Sequence, residues 1–90
     1  MLEKNTISQI RKRSGEIVNF DQRKITSAIY KSMKAVGSAD ELLAEKLSNE
    51  VVDTLNSKFR SRSIPAVEEI QDLVEEILIS NRLITVAKAF

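Results

Sequence analysis

The sequence predicts an α+β fold that is mostly helical: a small helical bundle capped by a short two- or three-stranded β-sheet. Three observations predict it. Residues 7–12 and 17–20 alternate like strands on either side of Arg13-Ser14-Gly15-Glu16, a tight-turn sequence. Three long stretches beyond them carry apolar residues three and four apart, the spacing of a helix face. Between those stretches stand ordinary helix punctuation marks, Gly37, Pro65 and Asn81-Arg82.

Residues 1–6 are polar and are expected to fray. In the first strand Ser8, Ile10 and Lys12 share one face, and Ile7, Gln9 and Arg11 share the other. An apolar side chain and an ammonium therefore lie side by side on one surface. Gly15 is free to take positive φ in the turn. Val18 and Phe20 alternate on the returning strand. Asp21 then stands where a helix should start and is suited to cap it.

The first helix is expected over 22–36, with Ile25, Ala28, Ile29, Met33 and Val36 on its core stripe and Gly37 as its stop. Ser38-Ala39-Asp40-Glu41 has the spacing of a capping box for the second helix. That helix is read to about residue 57, with Leu43, Leu47, Val51 and Leu55 inward and Phe59 extending the stripe. Ser57 to Ser63 reads as a polar loop. Arg62-Ser63-Ile64 should be extended, because proline disfavours α conformation in the residue before it; it is placed to add a third strand. The third helix begins near Pro65 and runs to Ser80, with Val67, Ile70, Val74 and Ile77 on its stripe and Leu73 and Leu78 beside it. Leu83, Val86, Ala87 and Phe90 begin a fourth helix that has no stop signal. The chain is thus expected to be a single domain over residues 1–90, the N-terminal fragment of a longer chain.

Composition narrows the function classes. With no cysteine the chain has no disulfide, thiolate metal site or redox centre, and with no histidine it lacks the usual general base and metal ligand. No nucleophile–base pair can be assembled, so the chain reads as a binding module and not an enzyme. No apolar run approaches membrane-spanning length, and the start Met-Leu-Glu-Lys-Asn lacks a signal-peptide core. The expected compartment is the cytoplasm, with no membrane partner. The formal net charge is +1 and unevenly placed: residues 1–24 hold six basic and three acidic residues, and residues 25–90 hold eight and ten. A general nucleic-acid binder carries a larger basic excess, so a small anion suits this local cluster better.

Lys12, Arg13 and Lys24 can converge near the start of the first helix, whose free N–H groups and dipole also favour an anion. A phosphorylated ligand with an apolar body fits that pattern, its base lying against Ile10 and Ile25. The plainer reading is an exposed hairpin with a solvated basic turn. No glycine-rich phosphate loop competes for the role, since Gly15 and Gly37 are the only glycines. The acids Glu68, Glu69, Asp72, Glu75 and Glu76 lie on one helix and read as a solvated face before they read as a Mg²⁺ site or an acid–base pair. Tyr30 lies off its helix stripe, where it either stacks on a ligand or, as the commoner arrangement, packs beneath the hairpin.

These residues resemble the ATP-cone, the regulatory nucleotide-binding module at the N-terminus of many ribonucleotide reductase large subunits. The family's leading pattern stands here as Lys12-Arg13-Ser14-Gly15 followed by Phe20-Asp21-Gln22-Arg23-Lys24-Ile25. A second pattern is Ile64-Pro65-Ala66-Val67-Glu68-Glu69-Ile70-Gln71-Asp72-Leu73-Val74-Glu75, and Val86-Ala87-Lys88-Ala89-Phe90 closes the chain. Ser14 stands where Asp is frequent, Val18 where an acid is common, Ala66 where Thr is frequent and Phe90 where Tyr is usual.

The resemblance implies that ATP and dATP compete as allosteric ligands for a pocket under the sheet, with Mg²⁺ as an optional companion. It implies that ATP supports reductase activity and that dATP switches it off by changing how subunits associate. The implied partners are the rest of the reductase chain and its subunits, with nucleotide-dependent oligomerisation. By matched position, Lys12, Arg13 and Lys24 would hold phosphates, and Ile10, Val18, Asp21 and Ile25 would surround the adenine. Gln71 would approach the ribose or phosphates, Ala66 lies at a contact position without its hydroxyl, and Lys88 is a further phosphate candidate. Two other readings stand beside this one. One is the nucleotide-sensing domain of a transcriptional repressor of reductase genes, although the cysteine-rich zinc ribbon of that protein is missing here. The other is a structural interaction module that has lost nucleotide binding.

Overall fold

The computed structural model describes residues 7–59 and 64–90. Two strands, β1 (Gln9–Arg11) and β2 (Ile17–Asn19), are followed by four helices: α1 (Gln22–Ala35), α2 (Glu41–Lys58), α3 (Val67–Ser80) and α4 (Ile84–Ala89). The strands pair antiparallel, with Gln9 opposite Asn19, Ile10 opposite Val18 and Arg11 opposite Ile17. The loop is a hairpin turn closed by Lys12 N–H to Glu16 O at 2.8 Å and Gly15 N–H to Lys12 O at 2.8 Å. Gly15, at φ +92°, supplies the left-handed residue that such a three-residue loop requires.

Two bonds fix the hairpin on the helices. Ile7 N–H donates to Asn56 Oδ1 of α2 at 2.9 Å, and Arg11 N–H donates to Pro65 O at 3.0 Å. The second belongs to a single parallel bridge between Arg11 and Ala66. The third strand expected over 62–64 therefore reduces, among the described residues, to one bridged pair at Ala66, which is extended as the N-cap of α3, and the helix begins at once. Residues 62 and 63 of that expectation, and the fraying expected of 1–6, lie outside the described residues.

Packing follows the apolar stripes. α1 lies against α2 and α4, and α3 against α2 and α4, so the four helices close a ring. Ile29, Met33, Leu47, Val51, Leu55, Val74 and Leu78 are fully buried at its centre. Burying each such side chain stabilises the fold by roughly 1.5–3 kcal/mol. The α2 stripe differs from expectation at its start: Ala44 is buried, Leu43 is half-buried and Leu42 is exposed. Ala44 has no exposed surface, so α2 approaches its neighbours closely at a residue small enough to allow it.

The helix ends show their chemistry. α1 stops in a left-handed cap: Gly37, at φ +79°, donates to Lys34 O, and Ser38 N–H reaches Met33 O at 2.9 Å. Ser38 is thereby used in ending α1 and does not start α2. Asp40 is the N-cap instead, its Oδ1 accepting from Leu43 N–H at 3.1 Å. α2 also runs one residue past the expected start of the loop at Ser57, to Lys58; Phe59 closes it and packs against the core, in keeping with its place on the stripe. α3 ends in a second left-handed cap, in which Arg82, at φ +64°, takes the position glycine usually holds. Leu83 N–H then reaches Leu78 O at 2.8 Å. At the start of α3, Ala66 offers no side-chain acceptor, and only the return half of a capping box remains, Ala66 N–H donating to Glu69 Oε1 at 2.8 Å.

Candidate functional site

A cavity of about 350 Å³ lies beneath the hairpin, between α1 and α3. Ile10 and Val18, opposite each other in the sheet, form its roof, and Ile25 of α1 and Ile70 of α3 line its walls. Its polar rim is Lys12, Asn19, Asp21, Lys24 and Gln71. The alternation of β1 dictates the pairing of Ile10 with Lys12 on this face, with Arg11 on the other.

Asp21 shapes the rim. It is the N-cap of α1, extended at φ −134°, and its Oδ1 accepts from Arg23 N–H at 3.0 Å. The Arg23 guanidinium also grips the carboxylate through both oxygens, each at 3.1 Å. These hydrogen bonds from Arg23, side chain first and backbone second, hold the Asp21 carboxyl below the usual carboxylate range. The negative charge at the rim is thus already matched. One turn along, Lys24 makes no ion pair among the described residues. The first turn of α1 contains no acid, so the positive end of its dipole adds to the Lys24 charge.

Seven of the ten residues named from the sequence come together on this cavity: Ile10, Lys12, Val18, Asp21, Lys24, Ile25 and Gln71. Three do not line it. Arg13 turns to α3, where its Nε lies 3.2 Å from Glu68 Oε2. It borders an adjoining depression that shares Ala28, Gln71 and Phe90 with the cavity. Ala66 is committed to the start of α3 by its backbone and has only a methyl group to offer. Lys88 is exposed on α4, on the side away from Val86 and Phe90, because two residues turn a helix by about 200°.

Sequence reasoning misses other lining residues, among them Phe20, Ala28, Val67, Val74 and Phe90. Phe20 carries a signal, since it shares strand parity with Val18. Ala28 follows Lys24 by four residues and Ile25 by three, which puts all three on one face. Phe90 belongs by spacing to the core stripe of the last helix, yet it is partly exposed and reaches the cavity. Tyr30 packs against the core and lies under the Lys34 ammonium, 5.8 Å from the ring centre, away from the cavity. The acids of α3 remain a surface face: among the described residues no group of three His, Cys, Asp or Glu side chains is placed to hold a metal ion. No helix among these residues is long and apolar enough to cross a membrane.

Comparison with known proteins bears on this geometry. The family model described as the ATP cone domain matches residues 8–90. The chain belongs to the ATP-cone family. It is therefore a regulatory nucleotide-binding module, and the cavity under its hairpin is the candidate nucleotide site. The chain is also 43% identical over 77 residues to a vitamin B12-dependent ribonucleoside-diphosphate reductase of Thermoplasma acidophilum, an alignment covering 86% of this chain and 10% of that protein. The ATP-cone thus spans about a tenth of the length of the curated relative it matches.

Proposed function

We propose that this ATP-cone binds ATP and dATP as allosteric ligands in the cavity beneath the hairpin and regulates a ribonucleotide reductase in the cytoplasm. The observation that carries the reading is the joining of an aliphatic cavity to two lysines at its rim, beside a helix whose one N-terminal acid, the cap Asp21, is already paired with Arg23. A volume of about 350 Å³ is at the small end for ligand sites, roughly 300–1,000 Å³. It suits a base and sugar better than a whole triphosphate. The adenine lies among Ile10, Val18 and Ile25 beside Asp21, and Gln71 meets the ribose. The phosphates run outward past Lys12 and Lys24 toward Arg13. Mg²⁺, where present, arrives with the phosphates, since the acids of α3 do not gather around them.

The chain itself performs no chemistry in this reading. It has no histidine or cysteine, and among the described residues the buried hydroxyls, Ser32 and Ser48, each donate to a backbone carbonyl. Its output is a change in how reductase subunits associate. Calorimetric titration with ATP, dATP and adenosine, beside an assay for released phosphate, tests the proposal. Saturable binding of both nucleotides without phosphate release is the expected result. Phosphate release that tracks the purified chain, or no binding of either nucleotide, would refute it.

A further inference from the structure

Each cation of the hairpin tip has a carboxylate within 4 Å. Lys12 Nζ lies 3.9 Å from Glu16 Oε1, a contact too long to be strong, within the turn itself. The second contact is closer and bridges elements: Arg13 Nε to Glu68 Oε2, at 3.2 Å, joins the tip to the first turn of α3. Glu68 is well placed for this. An acid in the first turn of a helix is favoured by the dipole, and the Arg11–Ala66 bridge brings the tip to that turn. The Arg13 side chain is nevertheless 74% exposed, so little besides Glu68 fixes its direction. The depression it borders shares Ala28, Gln71 and Phe90 with the main cavity.

We propose that Glu68 is a built-in competitor for Arg13, so that a polyphosphate gains the guanidinium only by displacing the carboxylate. The inference rests on the nucleotide reading of the cavity. A phosphate carries more negative charge and more acceptor oxygens than a carboxylate, so the exchange runs in the ligand's favour but at a discount. Glu68 thus lowers affinity for phosphorylated ligands without touching the base. It keeps Arg13 docked on α3 until a phosphate releases it, which ties the hairpin–α3 contact to occupancy of the site.

Glu68→Gln removes the competitor and keeps the side-chain shape. Calorimetry at low salt should show ATP binding tightened by about two- to fivefold, the range of an exposed pair. Adenosine affinity should not change. In an Arg13→Ala background the gain from Glu68→Gln should vanish. Thermal melts confirm that each variant is folded, which half-exposed positions permit. ATP affinity unchanged or weakened by Glu68→Gln overturns the proposal. So does a gain that persists without Arg13 or extends to adenosine, because Glu68 would then be only a background charge. If the unaltered chain binds no ATP, the nucleotide reading itself fails, an outcome distinct from these.

Discussion

Ile10 and Val18 stand directly opposite each other in the hairpin, and both form the roof of the cavity. This one cross-strand pair links the turn chemistry to the site. The left-handed Gly15 sets the loop at three residues, the loop sets the register, and the register sends Ile10 and Val18 to the cavity face while Arg11 and Ile17 take the other. A slip of one residue would put Arg11 beneath the hairpin.

The end of α3 offers a test of backbone strain. Arg82 holds a left-handed conformation, φ +64°, that disfavours residues with a Cβ. Arg82→Gly should stabilise the chain by roughly 0.5–1 kcal/mol, after the greater freedom of glycine in the unfolded state is counted. A chemical denaturation series should show a higher midpoint with an unchanged slope, and melting should rise by roughly 2–8 °C.

The buried polar contact between α1 and α2 offers another. Ser48 has no exposed surface and accepts from Gln22 Nε2 at 3.0 Å and from Thr26 Oγ1 at 2.7 Å. Its own hydroxyl donates to Glu45 O. Ser48→Ala should cost about 0.5–1.5 kcal/mol, because the half-buried donors lose this acceptor while Gln22 Nε2 keeps Asn49 Oδ1 at 2.6 Å and Thr26 Oγ1 keeps Gln22 O at 3.3 Å. Equilibrium denaturation checks it, and a loss no larger than that of an exposed serine such as Ser27 would show that water replaces the hydroxyl.

The pH response follows from the first turn of α1. The Asp21 carboxyl is held below its ordinary value by Arg23, so the folded chain binds a proton there less readily than the unfolded chain does. Its contribution to stability is therefore present above the ordinary carboxylate value of 3.8 and is lost as pH falls through the lower, folded one. Asn caps a helix about as well but cannot ionise. Melting of the natural chain and of Asp21→Asn should differ most near neutral pH and converge in strong acid.

Much of the fold and of the site is legible in the sequence alone. Asp21 as a cap, Gly37 as a stop and the Ile10–Lys12 face each depend on local rules of dihedral angle and alternation, which a short stretch of sequence expresses in full. The errors arise where a local rule meets a distant competitor. Ser38-x-x-Glu41 has capping-box spacing, but Ser38 N–H already closes α1 on Met33. Leu43 belongs to an ideal stripe, but the close approach of α2 turns Ala44 inward. The basic cluster that includes Arg13 is legible, whereas the carboxylate its long side chain meets, 55 positions later in the chain, is specified by no local pattern. Phe90 reads as core because its stripe points inward, while the bundle leaves its ring at the mouth of the cavity.

In the proposed mode of binding the nucleotide occupies the cavity with its phosphates at Lys12 and Lys24. Titration calorimetry of ATP against the natural chain, Lys12→Ala, Lys24→Ala and Arg11→Ala tests this most directly. Either lysine change should remove a charge-assisted contact worth roughly 1.5–3 kcal/mol, about 10- to 150-fold in affinity, with a smaller effect on adenosine. The loss should shrink as salt rises. Arg11, on the other strand face, should matter much less. Lysine variants that bind ATP as well as the natural chain, or an Arg11→Ala loss equal to that of Lys12→Ala, would contradict the placement of the site beneath the hairpin.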